Sequence, residues 1–160
     1  MFKGPQKTIQ SSIQIHGKGL HTGINGNLNL KPAEPNTGIL FKRTDVSIEK
    51  SLIEASYKNV TSPILCTKIM NSHGISISTI EHLMAAFYGE GIDNILVEID
   101  CPEIPIMDGS AFDFVEAIRS VGTEDQKYTR KFINTKKKVE IKDGQKSISI
   151  EPLANDLIID

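Results

Sequence analysis

The chain has no tryptophan, and aromatic residues make up only 6% of its 160 residues. With so few rings there is little to stack on the bases of a nucleic acid. A net charge of −2 likewise gives no broad basic field, so no nucleic-acid partner is expected. The basic run in "RKFINTKKK" (130–138) reads as the solvated face of a strand. Cysteine is scarce as well. Cys66 and Cys101 stand in different segments with no CxxC spacing, which sets aside a disulfide framework and points to a reducing compartment. No apolar run approaches membrane-spanning length, and the opening "MFKGPQKTIQ" lacks the apolar stretch of a signal peptide. A soluble, cytoplasmic protein without stable membrane insertion is therefore expected. Also missing are the Walker A spacing, the repeated acids of an EF-hand and an HExxH pair.

What is present is a globular balance, 39% apolar and 24% charged, in a chain long enough to bury its own core. No internal repeat of 20–50 residues occurs. Ile9, Ile13 and Ile15 alternate, suggesting one half-buried strand, followed by the three-glycine turn "GKGLHTG" (17–23). "NLNLKP" alternates through Leu28 and Leu30 until Pro32 ends it. Further strands are expected at 38–44, 51–56, 64–70 and 94–100, with a short one in "SHGISIS" leading into a helix. That helix opens with Ser78 three residues before Glu81, a capping-box spacing, and stops at Gly89 and Gly91. After the proline-rich loop "CPEIPIMDG", Ser110 is expected to cap a second helix, "AFDFVEAIRSV", with Phe114, Ile118 and Val121 on one stripe. Phe112 and Phe114 both read as core, and Cys66 as a small core residue. The polar stretch 123–129 reads as a linker. Asp143-Gly144 then joins a hairpin, and "NDLIID" enters another strand. The order points to an α+β fold: a two-layer domain of mostly antiparallel sheet with two helices over residues 1–125, then the first strands of a second unit over 126–160.

The first turn of the first helix carries Glu81 and His82 side by side. The plainer reading gives Glu81 to the capping box and leaves His82 as an ordinary imidazole. The chemical reading notes that a helix N-terminus disfavours an imidazolium, and that a neutral ring is what a metal ligand requires. Adjacent helical side chains point about 100° apart, so one can ligate while the other handles a proton. Catalytic zinc usually takes three protein ligands, and His16, His21 and His73 stand at no helical ligand spacing from His82. Spacing alone therefore writes down no complete site.

"GKGLHTG", "STIEHLMAAFYGEGIDN" and "PEIPIMDGSA", in that order, closely resemble the UDP-3-O-acyl-N-acetylglucosamine deacetylases, the zinc hydrolases of lipid A biosynthesis in Gram-negative bacteria. The resemblance runs across essentially the whole chain. It implies two similar α+β domains with their helix layers packed together and an active site between them. The implied reaction removes acetate from the 2-acetamido group of a UDP-linked, 3-O-acylated glucosamine. Carried over residue by residue, His82 corresponds to a Zn2+ ligand and Glu81 to the general base. Leu20, His21, Ile64, Leu65 and Cys66 correspond to residues lining the substrate cleft. The family's other zinc ligands come from an HKxxD-type motif in the second domain, which these 160 residues do not contain. The chain thus resembles an N-terminal portion, inactive alone, whose missing second domain is its intramolecular partner. The competing expectation is a metal-free α+β interaction module without catalysis.

Overall fold

The structure, a computed structural model, describes residues 4–61, 64–131, 133 and 135–153. They fall into two units, Pro5–Tyr128 and a second formed by Met1–Gly4 with Thr129–Asp160.

In the larger unit, eight of its nine strands come before or between the helices. They are β1 (Pro5–Ile9), β2 (Ile13–Lys18), β3 (Asn25–Pro32), β4 (Ile39–Arg43), β5 (Leu52–Glu54), β6 (Lys68–Met70), β7 (Ser76–Ser78) and β8 (Ile95–Ile99). Helix α1 (Glu81–Glu90) lies between β7 and β8, helix α2 (Phe112–Val121) follows, and β9 (Thr123–Thr129) comes last. Five strands form one sheet in the order β2-β3-β8-β4-β5, antiparallel except for the parallel β4–β8 pair. The fold class is α+β, as the sequence pattern implies.

Register explains the core. Ile13 lies opposite Leu30, Leu30 opposite Val97, Val97 opposite Phe41 and Phe41 opposite Ile53. This row of five side chains crosses the whole sheet on one face, and every member is buried. Period-two alternation puts polar partners on the other face, where Glu98 bridges Lys31 at 2.7 Å and Lys42 at 3.0 Å. The helices cover the apolar face with Leu83, Ala86 and Phe87 from α1 and Phe114 and Ile118 from α2.

Several expectations are corrected. The isoleucine run 9–15 is two strands in two sheets, because the chain turns between Ile9 and Ile13 and β1 pairs with β9 instead. The stretch 123–129, read as a linker, is strand β9. It has no apolar alternation because most of its side chains are exposed, and it is held through backbone pairing and Gln126. Residues 64–66 bend instead of extending the short β6, and Leu65 takes a left-handed backbone (φ 63°). Cys66 is half-buried and outside the core. Phe112 is 62% exposed while Phe114 is fully buried, since residues two apart on a helix face away from each other.

The "GIDN" motif (91–94) is structural. Gly91 takes the left-handed conformation that ends α1 (φ 70°), and Ile92 N–H returns to the Phe87 carbonyl at 2.8 Å. Asp93 accepts from Lys7 N–H at 2.7 Å. The buried Asn94 accepts from Gly38 N–H and donates to the side-chain oxygens of Gln6 and Gln126.

In the second unit, β10 (Val139–Asp143) and β11 (Lys146–Ile150) form the expected hairpin, with Gly144 left-handed in the turn (φ 59°). Residues 135–138 are not strand, so the basic run is no strand face in its described part. The strand expected in "NDLIID" lies outside the described residues.

Candidate active site at the entrance to the first helix

The capping box expected at Ser78 does not form. Ser78 lies in β7, and its Oγ donates to the Pro102 carbonyl at 3.2 Å. The position before α1 is Ile80, which offers no side-chain cap. Between them Thr79 is left-handed (φ 58°) and 2% exposed. A β-branched residue in that region is strained by about 1–3 kcal/mol. That turn takes Ser78 out of capping position and frees Glu81 from it. The Glu81 carboxylate instead accepts from the Thr67 backbone N–H at 3.1 Å. Its other oxygen takes no hydrogen bond among the described residues. Glu81 and His82 are both half-buried in the first turn.

A buried acid, Glu103, stands behind this entrance and is 1% exposed. One oxygen accepts from His21 N–H at 2.9 Å and from Thr79 Oγ1 at 2.9 Å. The other accepts from Thr22 N–H at 2.8 Å and Thr22 Oγ1 at 2.7 Å. Burial alone would push the carboxyl up, but these donors outweigh it and hold the group at about 2. Glycine is needed at position 19, because a Cβ there would run into the Glu103 carboxylate and Thr22 Oγ1. Sequence reading passed over Glu103. The available signal was an acid set among the apolar and proline residues of 102–107.

The same loop continues to Asp108, preceded by left-handed Met107 (φ 53°). Asp108 accepts from Ser110 N–H at 2.8 Å and from its Oγ, and Ser110 Oγ in turn accepts from Phe112 N–H at 3.0 Å. The position before α2 is Ala111, which offers no side-chain cap, so Ser110 is not the cap its position suggests and its Oγ instead reaches the Phe112 N–H from one residue further back. The Ser110 bonds hold the Asp108 carboxyl below its usual range.

Among the described residues, four non-glycine residues are left-handed: Asn36, Leu65, Thr79 and Met107. Thr79 stands two residues before Glu81 and Leu65 two before Thr67, whose N–H bonds Glu81, while Asn36 is of a type that tolerates this region. Backbone strain concentrated at one place is a feature of functional sites. The residues expected along a cleft have side chains free of the core: Leu20 is 60% exposed, Ile64 74% and Leu65 85%, and His21 is exposed too. Glu103 ties the 20–22 turn to Thr79, and Thr67 ties the segment after Cys66 to Glu81, so both segments converge on the start of α1. Beside Glu81 lies an apolar groove of about 490 Å³, lined by Tyr57, Val60, Ile69, Met84 and Tyr88 among others.

The family description "UDP-3-O-acyl N-acetylglycosamine deacetylase" matches residues 6–160. The chain belongs to this family. It is 48% identical over 147 residues to the UDP-3-O-acyl-N-acetylglucosamine deacetylase of Actinobacillus succinogenes, 92% of this chain and 48% of that one. The proteins of the same name from Aliivibrio fischeri and Haemophilus influenzae are 46% and 45% identical over the same shares. The chain spans about half the length of the curated relatives it matches.

A metal cofactor suits this family, and the donors here fit part of such a site. His82 is a half-buried imidazole in the first turn of α1 and could offer one donor to such a centre. No group of three or more His, Cys, Asp or Glu that could hold an ion exists among the described residues. No helix of the described residues is long and apolar enough to cross a membrane.

Proposed function

We propose that this chain supplies one side of the active site of a cytoplasmic zinc-dependent amide hydrolase. The reaction is removal of acetate from UDP-3-O-acyl-N-acetylglucosamine, the committed step toward lipid A. The observation that carries the reading is Glu81 at a strained helix entrance, one carboxylate oxygen tied to Thr67 N–H and the other unbonded, beside the half-buried His82. The names of the relatives supply the substrate.

His82 is the residue here that would hold zinc, with the other ligands from a second domain. Zinc held there would supply Lewis-acid polarisation of the amide carbonyl and so favour attack by water at neutral pH. Glu81 takes the proton of the attacking water through its unbonded oxygen, while the Thr67 amide fixes the orientation of the carboxylate. Water's oxygen forms the new C–O bond, and as the C–N bond breaks the departing amine takes up the proton that Glu81 removed from water, releasing acetate. Leu20, His21, Ile64, Leu65 and Cys66 line the sugar-nucleotide side of the cleft. The larger unit, Pro5–Tyr128, is the first domain, and the residues after it begin the second, which is the intramolecular partner. On this reading the chain alone is inactive, since one imidazole holds an ion weakly.

The test is Glu81→Gln in the full-length protein containing this chain. Turnover should fall by about 100-fold or more, the usual contribution of a general base, with one zinc retained per chain. Turnover within about 3-fold of wild type, with the metal still bound, would remove Glu81 from the base role.

A further inference from the structure

The carboxylate of Glu103 makes its four side-chain hydrogen bonds to two segments only, the 21–22 turn and Thr79. The backbone beside it is tied to the same place: Ser78 N–H donates to the Pro102 carbonyl and Ile104 N–H to the Ser78 carbonyl, each at 3.0 Å. An apolar side chain could fill such a volume without the desolvation cost of a buried charge. What an acid adds is direction, because each oxygen holds donors at fixed angles. Thr79 is where direction matters. Its left-handed backbone is unfavourable for threonine, and the turn it makes leads through Ile80 into Glu81 and His82. The Oγ1 bond to Glu103 holds that turn, and the same carboxylate holds His21 and Thr22 against it.

We infer that Glu103 is a positioning residue: one buried carboxylate clamps the His21–Thr22 turn to the left-handed Thr79, and so sets the direction in which Glu81 and His82 leave the helix entrance. The role rests on the deacetylase reading for its catalytic consequence, but not for its geometry. Both Glu103 oxygens are spent on His21, Thr22 and Thr79. The residue acts through Thr79.

The experiment compares wild type, Glu103→Gln and Glu103→Gln with Thr79→Gly. Glycine takes a φ of 58° without an anchor, so it should restore the turn when the clamp is weakened. In the 160-residue chain, the readouts are the His82 ring signals by NMR and amide exchange at His21 and Thr22. In the full-length zinc-loaded protein, they are kcat, KM and bound zinc. Glu103→Gln should shift the His82 ring signals and speed exchange at His21 and Thr22. It should also lower kcat by about 10-fold or more, with KM changed less than about 3-fold. Adding Thr79→Gly should return the ring signals and recover much of kcat, although exchange at His21 and Thr22 stays fast.

Unmoved ring signals in Glu103→Gln overturn the inference. So does a loss of kcat that Thr79→Gly does not relieve, which would make Glu103 a stability residue alone. Should Glu103→Gln not fold, Thr79→Val, which deletes one donor at nearly constant volume, carries the same ring-signal test. If Glu81→Gln keeps full turnover while Glu103→Gln still moves the His82 ring, the reaction assignment has failed and the clamp stands.

Discussion

Thr67 N–H donates to the Glu81 carboxylate across 3.1 Å, joining the residue before β6 to the first turn of α1. The contact replaces the local capping box that the Ser78–Glu81 spacing suggests, and it orients a carboxylate that would otherwise be spent on its own helix. Glu81→Ala should therefore destabilise the chain by about 1–2 kcal/mol, through loss of a charge-assisted hydrogen bond. Glu81→Gln keeps an acceptor and should cost less than about 0.5 kcal/mol. Urea unfolding of the two variants beside wild type measures the difference. Equal losses would mean that Thr67 contributes nothing.

Glu103 gives the chain an acid-sensitive stability. Its folded value is depressed from 4.5 to about 2, so the sign is that of a salt-bridged carboxylate. The stabilisation is fully present above pH 4.5 and is lost as pH falls toward 2. At about 1.4 kcal/mol for each tenfold change in proton affinity, it amounts to roughly 3 kcal/mol. Unfolding free energies followed from neutral pH into this acid range should fall more steeply for wild type than for Glu103→Gln. Parallel pH profiles would show that the carboxylate is not held as the structure has it.

Asn94 joins three segments far apart in sequence, through Gly38, Gln6 and Gln126. Asn94→Ala would take a partner from the Gly38 N–H and from the Gln126 side-chain oxygen, while Gln6 keeps its bonds with Asn36. A loss of about 2–3 kcal/mol is expected by thermal or chemical unfolding, larger than for one ordinary hydrogen bond because two groups lose a partner together.

The two phenylalanines of α2 should behave oppositely. Phe114→Ala empties a fully buried site and should cost about 3–5 kcal/mol. Phe112, at 62% exposure, should tolerate alanine within about 0.5 kcal/mol. Their relative melting temperatures decide the point directly.

Metal should not hold this chain together. With no group of three ligands among the described residues, a chelator should leave its melting temperature unchanged, and added zinc at micromolar concentration should raise it by less than about 1 °C. A large zinc-dependent shift would reveal ligands beyond His82.

Reading residues in order was enough for everything that depends on near neighbours. Alternation put Leu28, Leu30 and the β8 residues on a sheet, the stripe through Phe114 and Ile118 marked α2, and Asp143-Gly144 marked the hairpin. Long ordered motifs were also enough to name the family. Contacts between distant positions were not legible in that way. Glu103 meets His21 across 82 residues of chain, β1 finds its partner in a stretch that reads as a linker, and Thr79 is left-handed only because the fold holds it there. Local preference would place Ser78 as a cap and Thr79 in an ordinary conformation. A buried carboxylate with donors from both sides outweighs that preference, and its place could be known only once the loop around it had closed.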